Sequence, residues 1–517
     1  MATQDMAPAD RSPDRWWVLG VVCVAVFMLL LDITIVNVAL PDIGRSLDAN
    51  FTDLQWVIDA YALSLAALLL TAGTLSDLLG RRLIFTAGLV LFTLASILCA
   101  AAGTPTLLNL ARGLQGVGGA AMFATSLALI AQAFHGPERG TAFGVWGATT
   151  GAAVAIGPLV GGLVVEHIGW EAIFLINVPI GIAAVWVTLR RVTESRDPGA
   201  RGVDWAGLVT FSAALFLLVF ALVRGNAEGW GSALIEGFLI GAGVLLVLFV
   251  LVERSQERPM LDLSLFRRPP FVGVSLAAFA LSAGMFSVFL YLTLYLQNAL
   301  GYDPLETGLR FLPITVLSFA VAPVAGKLSA RVPPQALIGG GLFLVGVGLL
   351  LMRGLNAASG WTALLAGFIV SGAGIGMTNP PLASTAVGIV EPQRSGMASG
   401  INNTFRQVGI ATGTAGLGAL FQHLLENRVT DAFPRAAKLP VEAYANGDPS
   451  PFARLPGGRE AYLGAFTGAL NGVLLTAACV ALAGSVLSLL LIRRPAPAGI
   501  PTPERPRAAE SAAAGGR

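Results

Sequence analysis

An aspartate stands about midway along the first long apolar run, in Leu31-Asp32-Ile33-Thr34-Ile35-Val36-Asn37-Val38-Ala39-Leu40-Pro41. In hydrocarbon an ionised carboxylate costs roughly 2.5 to 3.5 kcal/mol even on a lenient insertion scale. A group kept at that cost reads as a proton carrier or an attractor of cationic substrate; the alternative is an acid neutralised by a neighbouring arginine for structure. Asp59, about a turn into the second run in Gln55-Trp56-Val57-Ile58-Asp59-Ala60-Tyr61, fits either a second protonatable group near the outer mouth or an interfacial carboxylate reaching water. Arg112 has Gln115 one helical turn away on the same face. A guanidinium is a permanent cation, so its use is to hold a carboxylate or a water network, with a purely structural role as the other reading. Asn37, Gln115 and the polar stripe of Asn402, Asn403 and Arg406 are candidates for the lining of a substrate cavity.

Two glycine-rich segments suggest moving parts. In Gly73-Thr74-Leu75-Ser76-Asp77-Leu78-Leu79-Gly80-Arg81-Arg82, Asp77 and the arginines fit a latch that ties one half of the molecule to helix ends of the other. An ordinary solvated turn is the bland reading of the same residues. A weaker echo, Gly326-Lys327-Leu328-Ser329-Ala330-Arg331, lies in the later half. Small residues at Gly147, Gly151, Ala155, Gly157, Gly161 and Gly162 give the fifth run a smooth packing face, and Pro158 denies the Val154 carbonyl its partner and should bend it. Such a seam suits either tight packing or a gate. Asn379-Pro380-Pro381 is expected to interrupt the twelfth run, and Pro313 and Pro323 to break the tenth.

The elements that must position these residues are membrane helices. Of 517 residues 55% are hydrophobic and 12% charged, with a mean hydropathy of +0.74; soluble domains carry about 25% charge. A spanning helix needs roughly 20 apolar residues, and the runs fit fourteen, with short turns between them. The expected fold is an all-α membrane protein of two six-helix bundles plus two inserted helices. Its parts are a cytoplasmic N-terminus (1–15), an N-terminal bundle (16–191), a linker with two extra helices (192–270), a C-terminal bundle (271–494) with an extracellular or periplasmic segment near 423–462, and a disordered cytoplasmic tail (495–517). Arg11 and Arg15 precede an apolar run that continues past Leu31 without a cleavage site, which reads as an uncleaved first helix.

Loop arginines and lysines concentrate on one side, at Arg81, Arg82, Arg139, Arg190, Arg191, Arg201, Arg254, Arg267, Arg268, Lys327 and Arg394, against few such as Arg45, Arg224 and Arg353 on the other. That bias puts both termini in the cytoplasm and the chain in the inner membrane. A net charge of +2 gives no reason to expect nucleic acid. Cys23, Cys99 and Cys479 are too far apart for a motif, so neither disulfides nor a metal site is expected.

These segments resemble the major facilitator superfamily, specifically its fourteen-helix drug:proton antiporter branch of EmrB/QacA type. Leu31-Asp32 through Pro41 is similar to the family's first-helix signature, Gly73 to Arg82 to its loop signature, Arg112 to Gly119 to its fourth-helix signature, and Gly147 to Gly162 to its antiporter signature. Trp170 to Gly181 and Ser399 to Gln407 fit the same branch. The resemblance runs from about Trp16 to Arg494. Leu78 stands where the family usually has a basic residue and Ala330 where it often has an acid, which implies a weaker latch; Asp59 is not a family hallmark.

The resemblance implies a proton-coupled antiporter that exports small amphipathic or hydrophobic compounds, drugs and antibiotics among them, by alternating access. Its partners would be that small molecule, protons and the lipid bilayer, with no cofactor beyond the coupling ion. A dedicated exporter of an endogenous product such as an antibiotic, siderophore or lipid fits equally. Against a membrane-embedded enzyme stands the lack of HExxH, GxSxG and nucleotide-loop motifs, and against a receptor the lack of a sizeable sensory domain. A protein partner is not specified by the residues, although 423–462 could bind one.

Overall fold

A computed structural model describes residues 14–196, 203–256, 259–433, 449–452, 455 and 457–492. Those residues form helices and no strand, as a chain crossing hydrocarbon must when every backbone amide has to be satisfied within its own segment. The first six long helices are α1 (Arg15–Leu47), α2 (Phe51–Leu79), α3 (Arg81–Ala100), α4 (Pro105–Ala133), α5 (Pro137–His167) and α6 (Ala172–Arg191, with a break at Ile176). Then come α7 (Trp205–Glu228) and α8 (Ala233–Ser255). The last six are α9 (Pro269–Ala299), α10 (Pro304–Leu328), α11 (Pro334–Leu351), α12 (Leu365–Gly388), α13 (Ser395–Ala432) and α14 (Gly458–Leu491). Among the described residues thirteen helices are long and apolar enough to cross a membrane, and α5, with 31 residues, completes the expected fourteen.

Short polar residues set the helix starts. Asn50 and Asp53 form a reciprocal capping box on α2. Thr104, Asp204, Ser232 and Asp303 accept from the first-turn amides of α4, α7, α8 and α10.

The basic turns gather at one end of the molecule, called here the basic end. Arg15 pairs with Glu138 at 2.7 Å, Arg191 with Asp14 at 2.8 Å and Arg394 with Asp262 at 3.3 Å, while Arg139 donates to the Ser384 carbonyl. The first six and last six helices form two bundles that meet along two seams, α2 against α13 and α5 against α10. At each seam glycine faces glycine: a Cβ on Gly73 would collide with the Gly396 carbonyl, and one on Gly140 with that of Gly326. The inserted pair packs as a hairpin whose α7 touches both α2 and α13. It is pinned there by Thr71 to Ser212 at 2.8 Å and by Asn226 to the Ala415 carbonyl at 3.1 Å.

Several expectations change. The prolines do not break their helices: Pro313 and Pro323 lie inside a continuous α10, and Pro380 and Pro381 inside α12. The irregular helix is α9, which contains π-turns at Ser282–Phe286 and Tyr295–Ala299. The 423–462 segment begins as the last turns of α13, which runs helical to Ala432 before the undescribed 434–448. Arg224, assigned above to a loop, is buried within α7. The N-terminal residues 1–13, Arg201, Arg258 and the tail from 493 onward lie outside the described residues.

Candidate functional site

Asp32 is 1% exposed and is held by three side chains from two helices, α4 and α6. Arg112 Nη1 on α4 lies 2.5 Å from its Oδ2, and on Oδ1 Gln115 Nε2 donates at 2.8 Å and Asn177 Nδ2 from α6 at 3.1 Å. The donors are themselves fixed. Arg112 Nε donates to the Val57 carbonyl at 2.9 Å and its Nη1 to Gln115 Oε1 at 2.6 Å, and Ser96 Oγ accepts from Gln115 at 2.9 Å. Tyr61 lies flat beneath the guanidinium, whose Cζ is 4.3 Å from the ring centre. Both readings offered for Asp32 thus meet in one arrangement, since the acid is paired to an arginine inside a network of neutral polar groups. Asn177, Ser96 and Tyr61 did not stand out in the sequence as parts of this network. Isolated polar residues within the apolar third and sixth runs were the available signal.

Gln115 was expected to line the cavity; it is fully buried and spends its amide on Asp32. The cavity lies beside this network. It has a volume of about 460 Å³ and is lined by Thr34 and Asn37 of α1, by Phe286, Phe289 and Gln297 of α9, and by Phe311, Ser318 and Ile375 among others. Thr34 is two residues and Asn37 five residues beyond Asp32 on the same helix, so the lining polar groups and the buried acid move as one element. Gly151 opens onto the cavity from α5, where a Cβ would lie 3.3 Å from Ser318 Oγ. Apolar aromatic walls with a few polar groups suit an amphipathic ligand. The π-turn at Ser282–Phe286 shifts the register of α9 ahead of Phe286, Phe289 and Gln297, which no sequence period marks.

The other antiporter-helix glycines divide between two neighbours. Gly147 packs on Asn379 and the Pro380 ring of α12, whereas Gly157 and Gly161 press on Thr34, Ile35 and Val38 of α1. Gly162 faces open space, and the side chain of Pro158 lies outside the described residues. The latch of Asp77 and Arg81 is formed at the basic end. Asp77 accepts from Arg81 at 2.8 Å and from the first amides of α13, Gly396 N at 2.9 Å and Met397 N at 2.8 Å. A carboxylate at a helix N-terminus satisfies orphan donors and the macrodipole together. Arg81 goes on to the carbonyls of Pro392 at 2.6 Å and Gln393 at 3.1 Å.

Gly80, between α2 and α3, has φ +124° and a Cβ there would strike the Glu194 carboxylate, so only glycine fits. Glu194 caps α3 through the amides of Arg82 and Leu83, and Arg82 reaches the Val192 carbonyl. Leu78 and Ala330 take no part in these bonds. The two bundles are therefore tied together at the basic end by the latch, and the cavity lined by Thr34, Asn37 and Gln297 lies toward the opposite one.

Asp59 is also paired with a cation. Arg224 of the inserted α7 lies 3.7 Å from it and donates to Gln55 at 2.6 Å and Glu228 at 2.8 Å. Asn402, Asn403 and Arg406 were expected in the cavity and do not line it. They are buried on α13 against α4 and α12, where Arg406 donates to Asn379 at 2.6 Å and Asn403 to the Phe123 carbonyl at 3.3 Å. Among the described residues no cluster of three or more His, Cys, Asp or Glu could hold a metal ion.

A sequence model of the Major Facilitator Superfamily matches residues 22–414. The chain belongs to that superfamily. A superfamily member of Mycobacterium tuberculosis, the multidrug resistance protein Stp, is 37% identical over 81% of this chain and 78% of its own. The tetracenomycin C resistance and export protein of Streptomyces glaucescens is 36% identical over 83% and 79%. The puromycin resistance protein pur8 of Streptomyces alboniger is 38% identical over 78% and 81%. The crystal structure of the human organic anion transporter MFSD10 has the same fold, with a TM-score of 0.60 at 15% identity over 92% of this chain and all of that one. The chain is accordingly a multi-pass membrane protein of the major facilitator fold.

Proposed function

We propose that this protein exports small amphipathic compounds across the cytoplasmic membrane by exchange for protons. The observation that carries the reading is Asp32, a buried acid held by Arg112, Gln115 and Asn177 on the helix that also lines the cavity. The names of relatives that match four-fifths of the chain, multidrug resistance and antibiotic export proteins, support the substrate class.

The N-terminal bundle (16–191) and the C-terminal bundle (271–494) rock about the cavity, with both termini and the basic end in the cytoplasm. In the state described above the cytoplasmic end is closed by Asp77, Arg81 and the glycine seams, and Asp32 is paired with Arg112. A proton arriving from outside neutralises Asp32 and weakens its hold on Arg112 and Asn177, which frees α1 to shift relative to α4 and α6. Substrate loading follows when the cytoplasmic end opens, and the proton then leaves to the inside. One charge crossing 100 mV is worth about 2.3 kcal/mol and a pH unit about 1.4 kcal/mol. One net proton can therefore sustain a several-hundred-fold gradient of a neutral compound.

The test is a panel of dyes and natural products in inverted vesicles, with and without an imposed pH gradient. Gradient-dependent accumulation of several amphipathic compounds is expected. Accumulation that ignores dissipation of the gradient would refute the coupling.

A further inference from the structure

Four arginines are buried among the described residues: Arg81, Arg112, Arg224 and Arg406. The first three each meet a carboxylate, Asp77, Asp32 and Asp59 in turn. Arg406 meets none. It is 7% exposed, donates Nη2 to the neutral Asn379 Oδ1 at 2.6 Å, and has no partner at Nε. Unsatisfied groups surround it. Asn402, a helical turn before Arg406, has neither amide atom partnered, and Asn403 Oδ1 and Trp146 Nε1 are also unpaired. An uncompensated buried cation beside idle amides is costly, so a chain that keeps one has an anion to put there at some stage of its cycle.

The groups divide cleanly between the two bundles. Arg406, Asn402 and Asn403 belong to α13 and Asn379 to α12, all in the last six helices. Their cover comes from the first six. Trp146 of α5 has its ring centre 5.9 Å from the guanidinium and stacks on Phe123 of α4 at 6.2 Å, and the Phe123 carbonyl takes the Asn403 amide. Parting of the seams at the basic end would carry Trp146 and Phe123 away. It would leave a guanidinium and side-chain amides facing the opened space, with the aromatic pair opposite. A guanidinium flanked by amides matches an oxyanion, and the aromatic wall matches an apolar body.

We propose that Arg406, with Asn402 and Asn403, is the loading site for the negatively charged group of an amphipathic organic anion, a carboxylate or a comparable oxyanion. This rests on the export reading above and adds the charge class of the substrate. In the state described here Trp146 fills the place of that anion, its ring facing the cation, so closing the basic end ejects the ligand toward the opposite side. The site is separate from the Asp32 network, which takes the proton.

A matched pair of fluorescent probes tests this: 9-anthracenecarboxylate and its methyl ester, which share a body and differ in charge. Binding is measured to the purified full-length protein, and export in proteoliposomes under a pH gradient. Wild type should bind the acid about tenfold or more tighter than the ester. Arg406→Gln should bring that ratio close to unity with ester affinity unchanged, and Arg406→Lys should keep part of the preference. Asn402→Asp guards against misfolding of the glutamine variant, because it gives the guanidinium its own carboxylate; it should displace the acid and spare the ester. An acid preference intact in Arg406→Gln, equal loss of acid and ester binding, or a wild type that binds neither probe or shows no preference overturns the proposal. Ester exported under the gradient while acid handling ignores Arg406 sinks this inference alone; export of neither probe sinks the export reading as well.

Discussion

Arg112 and Asp32 meet at 2.5 Å with both side chains sealed from solvent, and the acid keeps two amide donors besides. A charge pair at that depth is stable only as a complete set. Losing one member leaves a buried charge alone, at a cost of roughly 3 to 5 kcal/mol. Losing both costs far less.

That asymmetry gives a first prediction. Arg112→Gln should lower the thermal unfolding temperature of the detergent-solubilised protein markedly, and adding Asp32→Asn should recover most of the loss. A double variant as unstable as the single one would mean that the two residues do not share one network.

The latch gives a second. Asp77→Ala removes the carboxylate that caps α13 and holds Arg81, worth about 1 to 3 kcal/mol for a charged, buried set of hydrogen bonds. The basic end should then open more often, so a cysteine at Ser395 should react several-fold faster with a water-soluble maleimide than in the unaltered background. Unchanged labelling would show that the glycine seams alone close that end.

Much of the architecture was legible in the sequence because the bilayer leaves few choices. Twenty-odd apolar residues between basic turns can only be a helix, and Asp32, Asp77 and Arg112 were conspicuous as charges where charge is expensive. What escaped was partner choice. Asn177 is a neutral residue in a short helix, and nothing local says that it reaches Asp32. Arg224 looked like a loop cation because an apolar run ends near it; its carboxylate partner Asp59 is 165 residues away in sequence and is brought close only by the packing of α7 on α2. Proline misled for a related reason. In α10 and α12 the surrounding helices enforce a path that a lone helix would abandon. Asn402, Asn403 and Arg406 read as cavity lining because they are polar in an apolar run; their contacts with Phe123, Asn379 and Trp146 are tertiary and leave no local signal.

A third prediction concerns Asp59. Its pairing with Arg224, which also donates to Gln55 and Glu228, ties α7 to α2 and gives it a structural task. Asp59→Asn should keep gradient-driven export within about twofold of wild type, a difference of under 1 kcal/mol. Export that loses its dependence on the pH gradient in this variant would make Asp59 a coupling group.

A fourth concerns the cavity. Phe289→Ala removes an aromatic wall of the 460 Å³ space without touching the Asp32 network. Apparent affinity for a bulky apolar substrate should fall about tenfold, which corresponds to about 1.4 kcal/mol. The proton dependence of transport should stay as it was, and a changed dependence with unchanged affinity would contradict this division of labour.

Proton exchange by Asp32 is tested most directly by counting protons as substrate binds to the purified protein in weakly buffered detergent solution. The wild type should release about one proton per bound ligand over the pH range in which export is gradient-driven, and Asp32→Asn should bind the same ligand and release none. Equal proton release from the two proteins would contradict the account.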